Sequence, residues 1–190
     1  MYAIAKESLV KRSPNFVAFL LLLHLALWVG SLTAVNAGKL PAGQDVVLKA
    51  ADISPKIFPE QVFFRGLVAP TQLRNTGGVH FADDLYVLAG LVDSSGYSTA
   101  IQEKYQGYLL SEVTLDFGSQ ALKPGAYGFG FLQGGKFLVM DLAANDVLQG
   151  TSQHDADLKR PIPLQVTASS TAGNYRLYSG RNYVEFRRSH

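Results

Sequence analysis

The sequence predicts an all-β domain: a single antiparallel β-sandwich of about eight to ten strands, with a closed β-barrel as the alternative, behind an N-terminal signal helix. Three observations predict it. Apolar residues recur at every second position in many short runs, while no long run repeats with the period of a helix. Glycine-bearing turn signals separate those runs at short intervals. A leader of different composition opens the chain and sets itself apart from the rest.

That leader has three parts. Residues 1–15 are polar and carry Lys6, Lys11 and Arg12 against Glu7. Residues 16–29, FVAFLLLLHLALWV, are apolar apart from His24. A small-residue stretch from Gly30 then ends in Val35-Asn36-Ala37. A cationic segment, a short apolar core and a small-x-Ala ending describe a signal peptide over residues 1–37 with cleavage after Ala37. The alternative is an uncleaved membrane anchor, because counting on to Val35 gives about 20 residues, enough to cross a bilayer. The membrane is then met only through residues 16–35. Either way the positive flank stays inside, and the expected location of the remainder is periplasmic or secreted. Gly38, Pro41 and Gly43 mark residues 38–45 as a linker, and residues 46–190 read as a single β domain.

Charge follows the same division. The full chain holds 17 basic and 15 acidic residues, of which the leader takes three and one, so residues 38–190 carry fourteen of each. The alkaline isoelectric point, about 8.8 for the whole chain, therefore comes from the leader. It gives no basic face for nucleic acid, and no nucleic-acid partner is expected. The chain has no cysteine, which excludes disulfides, thiolate metal sites and cysteine nucleophiles. Its single tryptophan, Trp28, lies in the leader, so the β domain relies on Tyr and Phe for large apolar contacts.

Two hairpins carry the architecture. In residues 126–142, AYGFGFLQGGKFLVMDL, a two-residue Gly134-Gly135 turn would set Phe131 opposite Leu138 and Phe129 opposite Met140 on one apolar face. Gly128 and Gly130 would share the other face and leave a shallow groove for close packing. In residues 174–187, NYRLYSGRNYVEFR, a Gly180-Arg181 turn pairs Tyr178 with Tyr183, Leu177 with Val184, Arg176 with Glu185 and Tyr175 with Phe186. Further strands are expected over 45–51, 60–68, 84–93, 107–117, 146–151 and 162–168. The run 84–93 is apolar on both faces, as in a central strand, and a helical turn or two is expected within 97–106.

Candidate sites are few. Gly96-Tyr97-Ser98-Thr99-Ala100 approximates a nucleophile elbow, with Ser98 as nucleophile and His80 or His154 as base. The competing reading is a polar turn, since an elbow sits in a parallel sheet with helical crossovers. Two loops combine imidazole with carboxylate, the chemistry of zinc and calcium sites: His80, Asp83 and Asp84, and His154, Asp155 and Asp157. Neither has a recognised ligand spacing, and Asp-rich loops are commonly turns. Tyr178 and Tyr183 beside Arg176 and Arg181 form a binding candidate, because aromatic and arginine side chains dominate interaction hot spots.

No acid–base pair, phosphate loop, metal signature or cofactor fingerprint can be placed, and no cofactor is expected. The expectation is a non-catalytic binding or interaction module of the cell envelope, with an envelope protein, a glycan or a small apolar ligand as partner. A small secreted hydrolase using Ser98, and a structural envelope subunit, are the alternatives. Mass spectrometry of the exported protein is expected to find Gly38 at the N-terminus. Recovery of the intact residues 1–37 in the membrane fraction would favour the anchor instead.

Overall fold

The computed structural model describes residues 43–53 and 57–189. The leader, whether cleaved signal or anchor, and the first part of the linker lie outside the described residues. In chain order the elements are β1 (Val46–Lys49), β2 (Gln61–Phe64), β3 (Leu67–His80), β4 (Tyr86–Val92), the one-turn helix α1 (Thr99–Gln102), β5 (Gly107–Ser111), β6 (Leu115–Phe117) and β7 (Gln120–Leu122). They continue with β8 (Gly125–Leu132), β9 (Lys136–Met140), β10 (Asp146–Thr151), β11 (Gln153–His154), β12 (Leu164–Ala168), β13 (Asn174–Ser179) and β14 (Asn182–Arg188).

These strands form two antiparallel sheets, and neither closes into a barrel. The first runs β1-β3-β4-β5-β8-β9-β10, with β2 added on β3. The second runs β12-β13-β14-β6-β7, with β11 added on β14. Their facing sides share one core: Val79, Ala89, Phe129 and Val139 from the first meet Leu115, Leu164, Leu177 and Phe186 from the second. The arrangement is sandwich-like.

The strand count exceeds the eight to ten expected, for local reasons. Residues 60–68 are one strand and the start of the next, turned at Arg65 (φ 48°) and Gly66 (φ 81°). The run 107–117 breaks after Ser111, whose hydroxyl donates to the carbonyl of Val113, and resumes as β6 in the other sheet. Pro70 and the Gly77-Gly78 pair conceal β3 from a pattern reading, because proline and glycine normally punctuate strands. In the fold Pro70 faces the short β2, with Gln61 opposite it, and its carbonyl accepts the Asp93 N–H at 2.9 Å.

A further apolar layer covers the outer side of the first sheet. Val62, Phe64 and Ala69 of the β2–β3 hairpin, with Tyr97, Ile101 and Tyr105 around α1, pack on Leu88, Leu138 and Met140. Burial on both sides explains why β4 reads YVLAGLV without a polar residue.

The β8–β9 hairpin differs from expectation by one register step. Its loop has three residues, Gln133–Gly135, with both glycines at positive φ, 74° and 75°. Phe131 therefore faces Phe137, Phe129 faces Val139, and Gly128 faces Met140. One step exchanges the two faces of a strand. Phe137 and Val139 thus enter the inter-sheet core, while Leu138 and Met140 enter the outer layer. The glycine groove is real, and the chain itself fills it. A Cβ on Gly128 would come within 2.6 Å of the Phe64 ring, and one on Gly130 would collide with the carbonyl oxygen of Lys104. The C-terminal hairpin has the expected register throughout, from Tyr175 opposite Phe186 to Tyr178 opposite Tyr183.

Gly130→Ala is expected to lower stability by about 1–3 kcal/mol, since its new methyl meets backbone that cannot swing aside. Gly150→Ala, where nothing lies within 4 Å, should stay within about 0.5 kcal/mol of wild type. Urea denaturation of both variants measures the contrast.

Candidate functional site

Ser98 occupies the turn into α1 with ordinary extended angles, φ −62° and ψ 152°, and its side chain makes no capping bond. A nucleophile elbow instead requires a sharp, strained strand-to-helix turn. The bases are also elsewhere. His80 lies opposite Tyr86 at the start of β4, about 20 Å along the strand from Val92, whereas Ser98 follows the other end of that strand. His154 sits on β11 in the second sheet, with Nδ1 2.9 Å from Asn182 Oδ1. The geometry assembles no Ser–His pair from these residues.

The two imidazole–carboxylate loops are bound into the fold by other partners. His80 Nε2 lies 2.7 Å from Asp84 Oδ1, and its ring stacks on Tyr86 with centroids 4.3 Å apart. Asp83 accepts both Nη1 and Nη2 of Arg188 at 2.8 Å, and that guanidinium holds its carboxyl below the usual aspartate range. Asp155 accepts the Tyr178 hydroxyl at 2.8 Å and the Asp157 N–H at 3.1 Å. The hydroxyl bond leads the causes that lower the pKa of Asp155. Among the described residues no group of three or more His, Asp or Glu converges as a ligand set.

Tyr178 and Tyr183 do pair, with ring centroids 5.1 Å apart, and Arg176 stands 4.6 Å over the Tyr183 ring. Yet they are only 2% and 9% exposed. The segment 155–158 is tied beside Tyr178, whose hydroxyl meets Asp155, while Arg181 Nη1 donates to the carbonyls of Asp155, Ala156 and Leu158 at 3.3, 2.9 and 2.7 Å. The Tyr183 hydroxyl donates to Gln153 Oε1 at 2.6 Å. Of the four residues expected to bind a partner, Tyr178 and Arg181 bond the chain's own strap, Tyr183 bonds Gln153 and Arg176 pairs with Glu185, and both tyrosine rings are buried. Burial raises the Tyr178 pKa.

An open site lies where the two sheets end. β1 and β12 are the terminal strands of their sheets, and Gly77 of β3 lets the backbone of β12 approach closely, with Val166 N 2.7 Å from the position a Cβ would take. Beside this corner is a crevice of about 460 Å³ with largely apolar walls, including Val47, Ala50, Ala51, Ile162 and Val166. Ile162 is 46% exposed there. Gln165 also lines it and has its amide Nε2 buried with no hydrogen-bond partner among the described residues. In the sequence these residues stand out only as parts of the expected strands 45–51 and 162–168, because the two walls lie more than a hundred positions apart.

The sequence matches no protein-family model, and no curated protein and no solved structure matches it.

Glu185 supplies a pH test of the C-terminal hairpin. Its carboxylate accepts Ser169 Oγ at 2.7 Å and Asn174 Nδ2 at 2.6 Å, and these bonds, before the weaker Arg176 contact, pull its pKa below the ordinary value of 4.5. A lowered folded-state pKa stabilises fully above the ordinary range and loses that contribution as pH falls through the lowered value. Glu185→Gln is expected to lower stability at neutral pH and to flatten its decline under acid, read as urea midpoints between about pH 6 and pH 3. Parallel acid profiles for the two proteins would contradict this role.

Proposed function

We propose that this chain is a non-catalytic, exported β-sandwich that binds a small apolar ligand in the crevice between β1 and β12. The observation that carries the reading is the crevice itself. Its volume of about 460 Å³ falls in the range of small-molecule sites, and apolar walls with a few polar groups are their usual composition. Thr76, Gln165 and Thr167 are among its few polar wall residues. The leader supports export, and the absence of a Ser–His pair among the candidate residues supports binding without turnover.

A second reading, an interaction module that docks an envelope protein, draws on a different feature. Phe63, Leu67 and Val68 on the β2–β3 hairpin are 53%, 48% and 57% exposed. Contiguous apolar exposure of this kind marks contact surfaces.

Titration of the purified protein with N-phenyl-1-naphthylamine, an apolar dye that fluoresces when sheltered from water, tests the first reading. Saturable binding is expected, and Ala168→Phe at the crevice mouth should weaken it about tenfold. Phe63→Ser on the distant hairpin should leave it unchanged. Binding lost in Phe63→Ser and kept in Ala168→Phe would move the site to the hairpin.

A further inference from the structure

A second cavity opens on the outer side of the first sheet, lined by residues of β4 and β5. Antiparallel pairing builds it row by row. His80 on β3 lies opposite Tyr86 on β4. Glu112, just beyond β5, lies across from Tyr86 in turn: the Tyr86 N–H donates to Glu112 Oε2 at 2.8 Å, and the Glu112 N–H donates to the Tyr86 carbonyl at 2.9 Å. The next row inward holds Leu88 and Leu110, which face each other across β4 and β5. Ile57 closes the other side. The resulting cavity is about 360 Å³, with Tyr86, Leu88, Leu110, Glu112 and Ile57 among its walls.

Its electrostatics have one sign. Glu112 is its charged wall residue, and among the described residues it forms no ion pair. Its Oε2 is engaged by the Tyr86 amide, while Oε1 has no hydrogen-bond partner among the described residues. Asp84 stands close by, held by His80 at 2.7 Å. Burial, and after it the charges of Asp84 and Glu112, raise the Tyr86 pKa, so both carboxylates act on that hydroxyl. His80 covers one face of the Tyr86 ring, with the planes only 7° apart. A tyrosine ring, a carboxylate with no ion pair among the described residues, and aliphatic walls with no Lys or Arg among the described lining residues are elements that hold a positively charged nitrogen carried on an apolar body.

We propose that the Tyr86–Glu112 cavity binds a small organic cation, an alkyl- or arylammonium, whose charged nitrogen meets Glu112 Oε1 and the Tyr86 ring while its apolar portion lies on Leu88, Leu110 and Ile57. The neutral analogue of such a ligand fills the same apolar volume but gains nothing from the carboxylate. The site therefore selects for charge and not for bulk alone.

Calorimetric titration of the full protein with phenethylammonium and with its neutral counterpart, 2-phenylethanol, tests this. The ammonium is expected to bind at least about fivefold more tightly than the alcohol. Glu112→Gln keeps an oxygen for the Tyr86 amide and removes the charge, and it should abolish that preference. Tyr86→Leu, which removes the ring and keeps an apolar wall, should weaken the ammonium about threefold or more. Ala168→Phe at the crevice should change neither ligand. Equal affinities for ammonium and alcohol in the wild type, a preference that survives in Glu112→Gln, or no saturable ammonium binding up to about 10 mM would overturn the proposal.

Discussion

Burial of the first sheet on both faces is the constraint on which the rest depends. A sheet covered on one side only would show polar residues at alternate positions. β4 shows none, and β9 sends Phe137 and Val139 one way and Leu138 and Met140 the other. The outer cover is thin and close. The Phe64 and Tyr105 rings stack with centroids 3.9 Å apart directly over Gly128, and the backbone of Lys104 lies over Gly130. Glycine on β8 is thus a packing requirement of the layer above it. Of the cavities described above, one is lined by the outer side of β4 and β5 and the other by the terminal strands of both sheets.

Polar chemistry in this protein is largely committed to holding the layers together. Arg188 on β14 grips Asp83 in the turn between β3 and β4, so the two sheets are tied at that end. Tyr175 on β13 donates to Asp45, just before β1, at 2.6 Å, and Asp45 also accepts the Ala82 N–H at 3.0 Å. Arg181 collects three carbonyls of the strap and fixes it beside Tyr178. A guanidinium suits this task because its planar N–H donors can reach several carbonyl oxygens at once. Two of the carboxylates that attract attention in the sequence as metal-binding groups, Asp83 and Asp155, are spent in such structural bonds.

How far the sequence could be read depended on the range of the interaction involved. The C-terminal hairpin was legible to the residue, because a Gly-led two-residue turn leaves one register and two cross-strand pairs agree with it. The Gly134-Gly135 hairpin was legible as an element but shifted by one step. Consecutive glycines fit a two- or a three-residue loop, and the three-residue loop observed turns Phe137 rather than Leu138 between the sheets. The strap beside Tyr178 was not legible, since nothing local to Asp155 indicates that it will meet a hydroxyl 23 positions away.

By itself the sequence determined the β character, the antiparallel hairpins and the register of the C-terminal one, because side-chain alternation and turn residues act over two to ten neighbours. Only the tertiary structure decided which strands end each sheet, which polar groups are consumed in clamps and which apolar walls stay uncovered. Those outcomes join Val47 to Ile162, Asp83 to Arg188 and Tyr86 to Glu112. They depend on how whole layers stack, and layer stacking is a sum over contacts that no short stretch of chain contains.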